Sequence, residues 1–365
     1  AAARKAAEGH ELVRDKTRAI LEYVQDNFRY VSMSFGENAF EPHSTKDVFA
    51  NKYGDCKDLS LLTRTMLSAV GVKADITLFN TENSINDPSY DLPIPTLFNH
   101  VLLLVEDPLA GDFYVDPLLK GYDIGEYPMG FQRAYTFVIA EGKGRFGRLP
   151  EFDAERAAQR INQVIDMNED WSGVFEVSKV WDLDNSIEVR DTLKAMNDTQ
   201  KKDLYEGIDF MMAQGGEVMK REYEGLDKRY GRMRSTLEFR RLDEFPSADG
   251  LIVVDIDAIS RDEAFEKAER REPFFFPSNG FIETEDIYRT PEGFEILHIP
   301  GDIALEGPNM SFARTFKRTP LGVTVKARLE LKRVMLKKEA LADLQKFYAD
   351  LSRQTRQRIV FRKTK

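Results

Sequence analysis

Residues 52–79 constrain the fold of this 365-residue chain more than any other stretch, because a capped helix and a strand follow one another there. Asp55 suits an N-cap, and Asp58 lies three residues further on, as in a capping box. Apolar residues then recur at helical spacing up to Gly71: Leu59, Leu62, Met66 and Val70. The segment "VKADITLF" alternates apolar and polar residues. The pattern predicts a helix over 56–70 and a strand over 72–79.

The flanking segments extend this pattern on both sides. Residues 3–28 carry an apolar stripe at helical spacing, and "HVLLLVEDPLAGDFYVDP" (100–117) is typical of a hairpin. "AYTFVIA" (134–140) adds another strand. Helices followed by antiparallel strands predict an α+β domain over 1–145.

The remainder of the chain has a different character. We interpret residues 141–155 as a linker, because they are rich in glycine and charge. The pattern over residues 156–262 predicts a β-rich region with one helix near 199–222. Residues 263–365 predict a β-rich C-terminal domain that ends in a helix over 337–353.

Composition excludes several function classes. Sixty-two acidic against 52 basic residues give a net charge of -10, which opposes binding to nucleic acid. The longest aliphatic runs, such as "VLLLV" at 101–105, are too short to span a membrane. A single cysteine excludes an internal disulfide, and no side-chain cluster has metal-ligand spacing, so we expect no cofactor and no metal. The start, "AAARKAAEGH", lacks the apolar core of a signal peptide, so we expect either a cytoplasmic chain or one that has lost a leader.

The single cysteine, Cys56, falls at the first position of the predicted helix, where the helix dipole favours a thiolate. His100 opens the first strand of the hairpin and Asp116 closes the second, so antiparallel pairing brings the two near each other. A carboxylate could then orient the imidazole beside Cys56, as in a catalytic triad. Taken alone, a cysteine at a helix start is more often inert, and an Asp-Pro after a strand is often only a turn.

Three segments, "YGDCKDLSLLTRTMLSAVGVKA", "FNHVLLLV" and "FYVDP", closely resemble the transglutaminase-like core of the papain-like superfamily. "RYVSMSFGENAFEPHSTKDVFANKYGDCKD" is similar to a bacterial subfamily in which this core is flanked by β-rich domains of unknown function. The resemblance implies that Cys56 is the nucleophile, His100 the base and Asp116 the orienting residue. It also implies a periplasmic or cell-surface location in a bacterium.

The chain departs from the family pattern around the oxyanion hole. Lys57 follows Cys56 where many transglutaminases have an aromatic residue, and both tryptophans, Trp171 and Trp181, lie outside the core. The Cys56 N–H is one expected oxyanion donor, and Tyr30 or Asn99 is a speculative second.

These residues predict acyl transfer from protein or peptide amides through a thioester. We favour water as the acceptor, which gives a peptidase or amidase. An amine acceptor would give a transglutaminase, and a non-catalytic scaffold of the cell envelope is the other alternative. The connection 80–99 is long enough for a lid over His100, and the β-rich C-terminal region could bind a partner protein.

Overall fold

The computed structural model describes residues 1–32, 40–81, 97–140, 143–168, 170–256, 273–276 and 279–364. They form two compact units, Ala1–Phe152 and Asp153–Lys365. The predicted α+β class is confirmed, with helices and an antiparallel sheet first and a β-rich region after them. Within the described ranges, no helix is long and apolar enough to cross a membrane.

Over its described residues, the first unit has four α-helices and two sheets. The helices are α1 (Ala2–Ala6), α2 (Val13–Asn27), α3 (Thr45–Asn51) and α4 (Cys56–Ser68). Strands β1 (Arg29–Tyr30) and β2 (Tyr53–Gly54) form a small parallel ribbon. The main sheet has the order β5-β4-β3-β6-β7, with β3 (Ala74–Phe79), β4 (His100–Val105), β5 (Phe113–Val115), β6 (Tyr135–Ala140) and β7 (Lys143–Arg148).

The core of this unit lies between the helices and the sheet. The apolar stripes of α2 and α4 meet the inward side chains of β4, and all of the following are buried: Ile20, Leu21, Val24, Leu59, Leu62, Met66, Leu67, Leu103 and Val105. Burying each large aliphatic side chain contributes about 1.5–3 kcal/mol. In addition, the buried Ser60 hydroxyl donates to the Val101 carbonyl at 3.1 Å. Helix α4 is therefore fixed against the strand that begins at His100.

Two expectations for this unit need correction. The predicted helix over 3–28 is two helices, because Gly9 has a positive φ of 81° and the chain turns there. Part of the expected linker is strand β7, in which Phe146 packs 5.0 Å from the Phe137 ring. A Cβ at Gly144 would overlap that ring, so the glycine lets Phe137 lie across the strand. Gly144 therefore allows the strand to pack against Phe137 and does not mark a linker.

The second unit is built on an eight-stranded sheet with the order β10-β11-β9-β8-β15-β19-β18-β17. Its strands are β8 (Gln159–Met167), β9 (Gly173–Val180), β10 (Glu217–Glu224), β11 (Arg234–Arg241), β15 (Gly280–Arg289), β17 (Ile303–Glu306), β18 (Met310–Thr319) and β19 (Gly322–Leu331). Smaller sheets are formed by β12 (Ser247–Ala248), β13 (Leu251–Ile256), β16 (Phe294–His298) and β21 (Gln357–Lys363), and by β14 (Phe274–Phe276) with β20 (Val334–Leu336). The helices are α5 (Leu183–Ala195), α6 (Asp198–Ala213) and α7 (Leu341–Gln354).

Strands from both predicted C-terminal regions, 156–262 and 263–365, lie in this one sheet, since β8 pairs with β15. The prediction of one helix in 156–262 left out α5, and the helix predicted near 199–222 runs past the end of α6 into the residues of β10. Asp182 caps α5 by accepting from the Asn185 N–H at 2.9 Å. That capping residue was the local signal for the missed helix.

Candidate active site

Cys56 is the first residue of α4 and is partly exposed. The Asp55 side chain caps the helix by accepting from the N–H groups of Lys57 at 3.1 Å and Asp58 at 3.2 Å. The Asp58 side chain accepts from the Asp55 N–H at 3.2 Å, which completes a capping box. The Lys57 ammonium donates to Asp55, so the capping carboxylate is paired with a cation. The cap thereby fixes where the helix starts and where the thiol lies.

His100 and Asp116 meet at the end of the hairpin. The register pairs Leu103 with Val115, and its continuation sets Asp116 opposite Leu102, diagonal to His100 on the same face. His100 Nε2 lies 2.7 Å from Asp116 Oδ2, and the carboxylate accepts the ring N–H. Asp116 Oδ1 accepts from the Leu118 N–H at 2.8 Å, so both carboxylate oxygens are occupied.

The pair is shielded from solvent, with side-chain exposures of 15% for His100 and 2% for Asp116. Burial by itself lowers the pKa of His100. The charge of Asp116, its hydrogen bond and the hydrogen-bonded side chain of Cys56 outweigh burial and raise the pKa of His100 to about 10. The imidazole is therefore a cation through the neutral pH range. Because Nε2 donates to Asp116, Nδ1 is the ring nitrogen that can interact with the Cys56 thiol.

A second aromatic ring supports the imidazole. Phe79 is directly paired with His100 across β3 and β4, and their rings meet edge to face at 5.2 Å. Phe79 is completely buried and packs in turn on Phe131 at 5.1 Å. These contacts restrict rotation of His100 and exclude water from one side of the ring.

The helix cap leaves one N–H of the first turn available. Asp55 accepts from Lys57 and Asp58, whereas the Cys56 N–H has no hydrogen-bond partner among the residues that the structure describes. This N–H lies at the positive end of the helix, next to the thiol. It is placed to donate to an oxyanion formed on a carbon bound to Cys56.

The two speculative oxyanion residues differ in position. Tyr30 is 51% exposed and pairs in the β1–β2 ribbon with Gly54, two residues before Cys56. Asn99 instead contacts Thr81, accepting from its N–H at 2.9 Å and donating to its hydroxyl at 3.0 Å. Of the expected lid, residues 82–96 lie outside the described residues.

Sequence reasoning missed a second histidine–carboxylate pair, which lies close to Cys56. Asp58 Oδ2 lies 3.1 Å from His43 Nδ1, and Asp58 Oδ1 accepts from the His43 N–H at 2.7 Å. Asp58 had been recognised only as a capping-box partner. The burial of Asp58, which would be costly for an isolated carboxylate, is visible only in the structure.

Within the described ranges, no group of three or more His, Cys, Asp or Glu side chains could hold a metal ion. The side chains gathered at Cys56 are those of covalent and acid–base chemistry.

Comparison with known proteins agrees with this architecture. Residues 1–90 match the transglutaminase-like superfamily, and residues 251–361 match a domain of unknown function called DUF3858. A crystal structure of a putative protease from Parabacteroides distasonis resembles 99% of this chain with a TM-score of 0.56 and 10% sequence identity. This chain spans 54% of the length of that protein. No curated protein matches the chain.

The chain is thus an α+β protein with a transglutaminase-like N-terminal region and a β-rich C-terminal region. More particularly, the transglutaminase-like match covers the helices up to α4 and strand β3, and the DUF3858 match lies within the β-rich unit. The superfamily match includes Cys56 but ends before His100 and Asp116. At 10% identity, the Parabacteroides structure shows the fold alone.

Proposed function

We propose that this protein is a thiol-dependent enzyme that transfers acyl groups from protein or peptide amides, with Cys56, His100 and Asp116 as its catalytic triad. The observation that carries the proposal is His100, which is hydrogen-bonded to Asp116 at 2.7 Å and whose pKa is raised by the side chains of both Asp116 and Cys56. A cationic imidazole next to a thiol favours the thiolate, which is the nucleophilic form of cysteine.

In the proposed reaction, the Cys56 thiolate attacks the amide carbonyl, and a carbon–sulfur bond forms while the oxygen takes the negative charge. The Cys56 N–H donates to this oxyanion. His100 then gives its proton to the amide nitrogen, the carbon–nitrogen bond breaks, and an amine leaves a thioester on Cys56. Asp116 keeps the imidazole oriented through both steps.

Hydrolysis is the outcome that we favour for the thioester, because water has access to a partly exposed Cys56. Water attacks the thioester carbonyl and loses its proton to His100, and the carbon–sulfur bond then breaks. A carboxylic acid leaves, and the Cys56 thiolate and the protonated His100 are restored. An amine in place of water would give a new amide instead. The acceptor therefore separates a peptidase or amidase from a transglutaminase.

The experiment is to incubate envelope proteins of the source organism with the wild-type protein and with Cys56→Ser, and to label new amino termini and acids for mass spectrometry. A small fluorescent amine in a parallel reaction reports an amine acceptor. New termini with wild type alone support a peptidase, and incorporated amine without new termini supports a transglutaminase. No difference from Cys56→Ser in either reaction would favour a scaffold.

We further propose that the protein acts in the periplasm or at the cell surface of a bacterium. The resemblance to the bacterial subfamily in which the core is flanked by β-rich domains supports this location. Fractionation of cells, followed by detection of the chain with an antibody, tests it. Recovery with the cytoplasmic fraction would contradict it. The β-rich unit Asp153–Lys365 is our candidate for binding a partner protein.

A further inference from the structure

The buried carboxylate of Asp58 joins two segments next to Cys56. Its side chain is completely buried and takes three hydrogen bonds, from the His43 N–H at 2.7 Å, from His43 Nδ1 at 3.1 Å and from the Asp55 N–H at 3.2 Å. The first two hold the chain that enters α3, and the third holds the residue that precedes the nucleophile. A movement of His43 is therefore passed to the first turn of α4.

The backbone around Asp58 leaves it little freedom. A Cβ on Gly54 would lie 2.6 Å from the Asp58 Cβ, so the glycine permits β2 to pass directly against the carboxylate. On the other side, Asp58 N–H donates to Asp55 Oδ1 at 3.2 Å. His43 Nδ1–H is the only side-chain donor that any described residue offers to Asp58. The partly exposed imidazole thus supplies one of three hydrogen bonds to the carboxylate, and it shares Oδ2 with the Asp55 N–H.

We propose that His43 is a positioning residue of the active site, which acts through Asp58 to hold the Asp55–Cys56 peptide so that the Cys56 N–H faces the oxyanion. The inference rests on the proposed function of Cys56. Asp58 holds the N–H of Asp55, and the next N–H along the chain is that of Cys56, which has no partner among the described residues. Loss of the His43 side-chain hydrogen bond leaves Oδ2 with the Asp55 N–H alone, so the carboxylate shifts and this peptide tilts with it.

Two reagents separate this role from general damage to the nucleophile. Iodoacetamide alkylates Cys56 by displacement at a saturated carbon, where the sulfur–carbon bond forms as iodide leaves and no oxyanion appears. p-Nitrophenyl acetate acylates Cys56 at a carbonyl: the sulfur–carbon bond forms, an oxyanion develops, and the ester carbon–oxygen bond breaks to release p-nitrophenolate. Only the acylation by p-nitrophenyl acetate is accelerated by a hydrogen bond from the Cys56 N–H to the oxyanion.

The variants are His43→Leu and His43→Asn, which have nearly the same shape but differ in that asparagine keeps an N–H donor near the position of Nδ1. Ser44→Ala serves as the control, because Ser44 caps α3 at the neighbouring position and does not contact Asp58. Each rate is measured on the full chain, and the rate of Cys56→Ser is subtracted as the background.

We expect His43→Leu to lower the acylation rate about 10- to 100-fold while alkylation changes less than about 3-fold, because a small misplacement costs that much. His43→Asn should acylate within about 3-fold of wild type, since its amide restores the donor. Ser44→Ala should leave both rates near wild type. Circular dichroism establishes that each variant is folded.

Equal losses in both reactions, or an acylation rate for His43→Asn as low as for His43→Leu, would overturn the proposal. The same holds if His43→Leu acylates like wild type. A failure of the proposed function looks different, because wild type would then react with neither reagent faster than Cys56→Ser.

Discussion

The His100–Asp116 ion pair should make the stability of the first unit depend on pH in a direction that the structure fixes. His100 has a pKa raised from 6.5 to about 10, chiefly by Asp116 acting against the effect of burial. A group whose pKa is raised by folding stabilises the native state fully below its unfolded pKa. That stabilisation is lost as the pH rises through the folded pKa. We therefore expect the contribution of His100 to be largest below about pH 6.5 and to disappear near pH 10.

The magnitude follows from the same shift. Each pKa unit corresponds to about 1.4 kcal/mol, so the full difference between 6.5 and about 10 corresponds to ~5 kcal/mol. For one group with a pKa of 6.5 in the unfolded state and about 10 in the folded state, proton linkage predicts a change in stability with pH. The free energy of unfolding should decrease by about 3 kcal/mol between pH 6 and pH 9. His100→Gln removes the titrating group, so the difference between wild type and this variant isolates it.

The assay is urea unfolding at several pH values, followed by far-ultraviolet circular dichroism. Tryptophan fluorescence serves as an internal reference, because Trp171 and Trp181 both lie in the second unit. His10→Gln is the matched control, since it removes an exposed imidazole from the same unit without removing an ion pair.

The reasoning would be refuted if the difference in unfolding free energy between wild type and His100→Gln stayed constant from pH 6 to pH 9, or grew with pH. A difference that His10→Gln reproduced would refute it as well, because the effect would then belong to histidine loss in general.

Three further substitutions test the surroundings of the site. Gly54→Ala should destabilise the protein by about 1–3 kcal/mol in urea unfolding, because its Cβ would lie 2.6 Å from that of Asp58; unchanged stability would contradict this packing. Asp116→Asn should keep the fold but slow p-nitrophenyl acetate acylation by roughly 100-fold or more, because the imidazole loses its orienting carboxylate. A rate within about twofold of wild type would speak against the triad. Ser60→Ala should cost about 1 kcal/mol of stability through the lost hydrogen bond to Val101, and an unchanged unfolding midpoint would show that this bond does not hold α4 on β4.

Sequence patterns predicted the elements of the first unit that have strong local signals. The start of α4 followed from Asp55 and Asp58, and the structure begins the helix at Cys56. The hairpin register followed from two apolar runs around one turn, which is why His100 and Asp116 could be paired in advance. In each case the determining contacts lie within about 20 residues along the chain.

Contacts that no periodic pattern specifies, and ambiguous local patterns, were predicted less well. The His43–Asp58 pair forms through a buried carboxylate and not through strand register, and nothing in the spacing of apolar residues indicates such a contact. Strand β7 was mistaken for a linker because its glycines and charges are typical of exposed loops. Helix α5 has a weak apolar stripe and follows a true strand directly, so the change of period was missed.

Alkylation of Cys56 by iodoacetamide tests the central claim most directly, and intact mass measurement gives an unambiguous result because the chain has one cysteine. We predict that native protein at about pH 6 is alkylated at least roughly tenfold faster than His100→Ala and faster than urea-unfolded protein, because the imidazolium next to the sulfur favours the reactive thiolate. A Cys56 that reacts only after unfolding, or equally fast with and without His100, would contradict the assignment of Cys56 as a nucleophile.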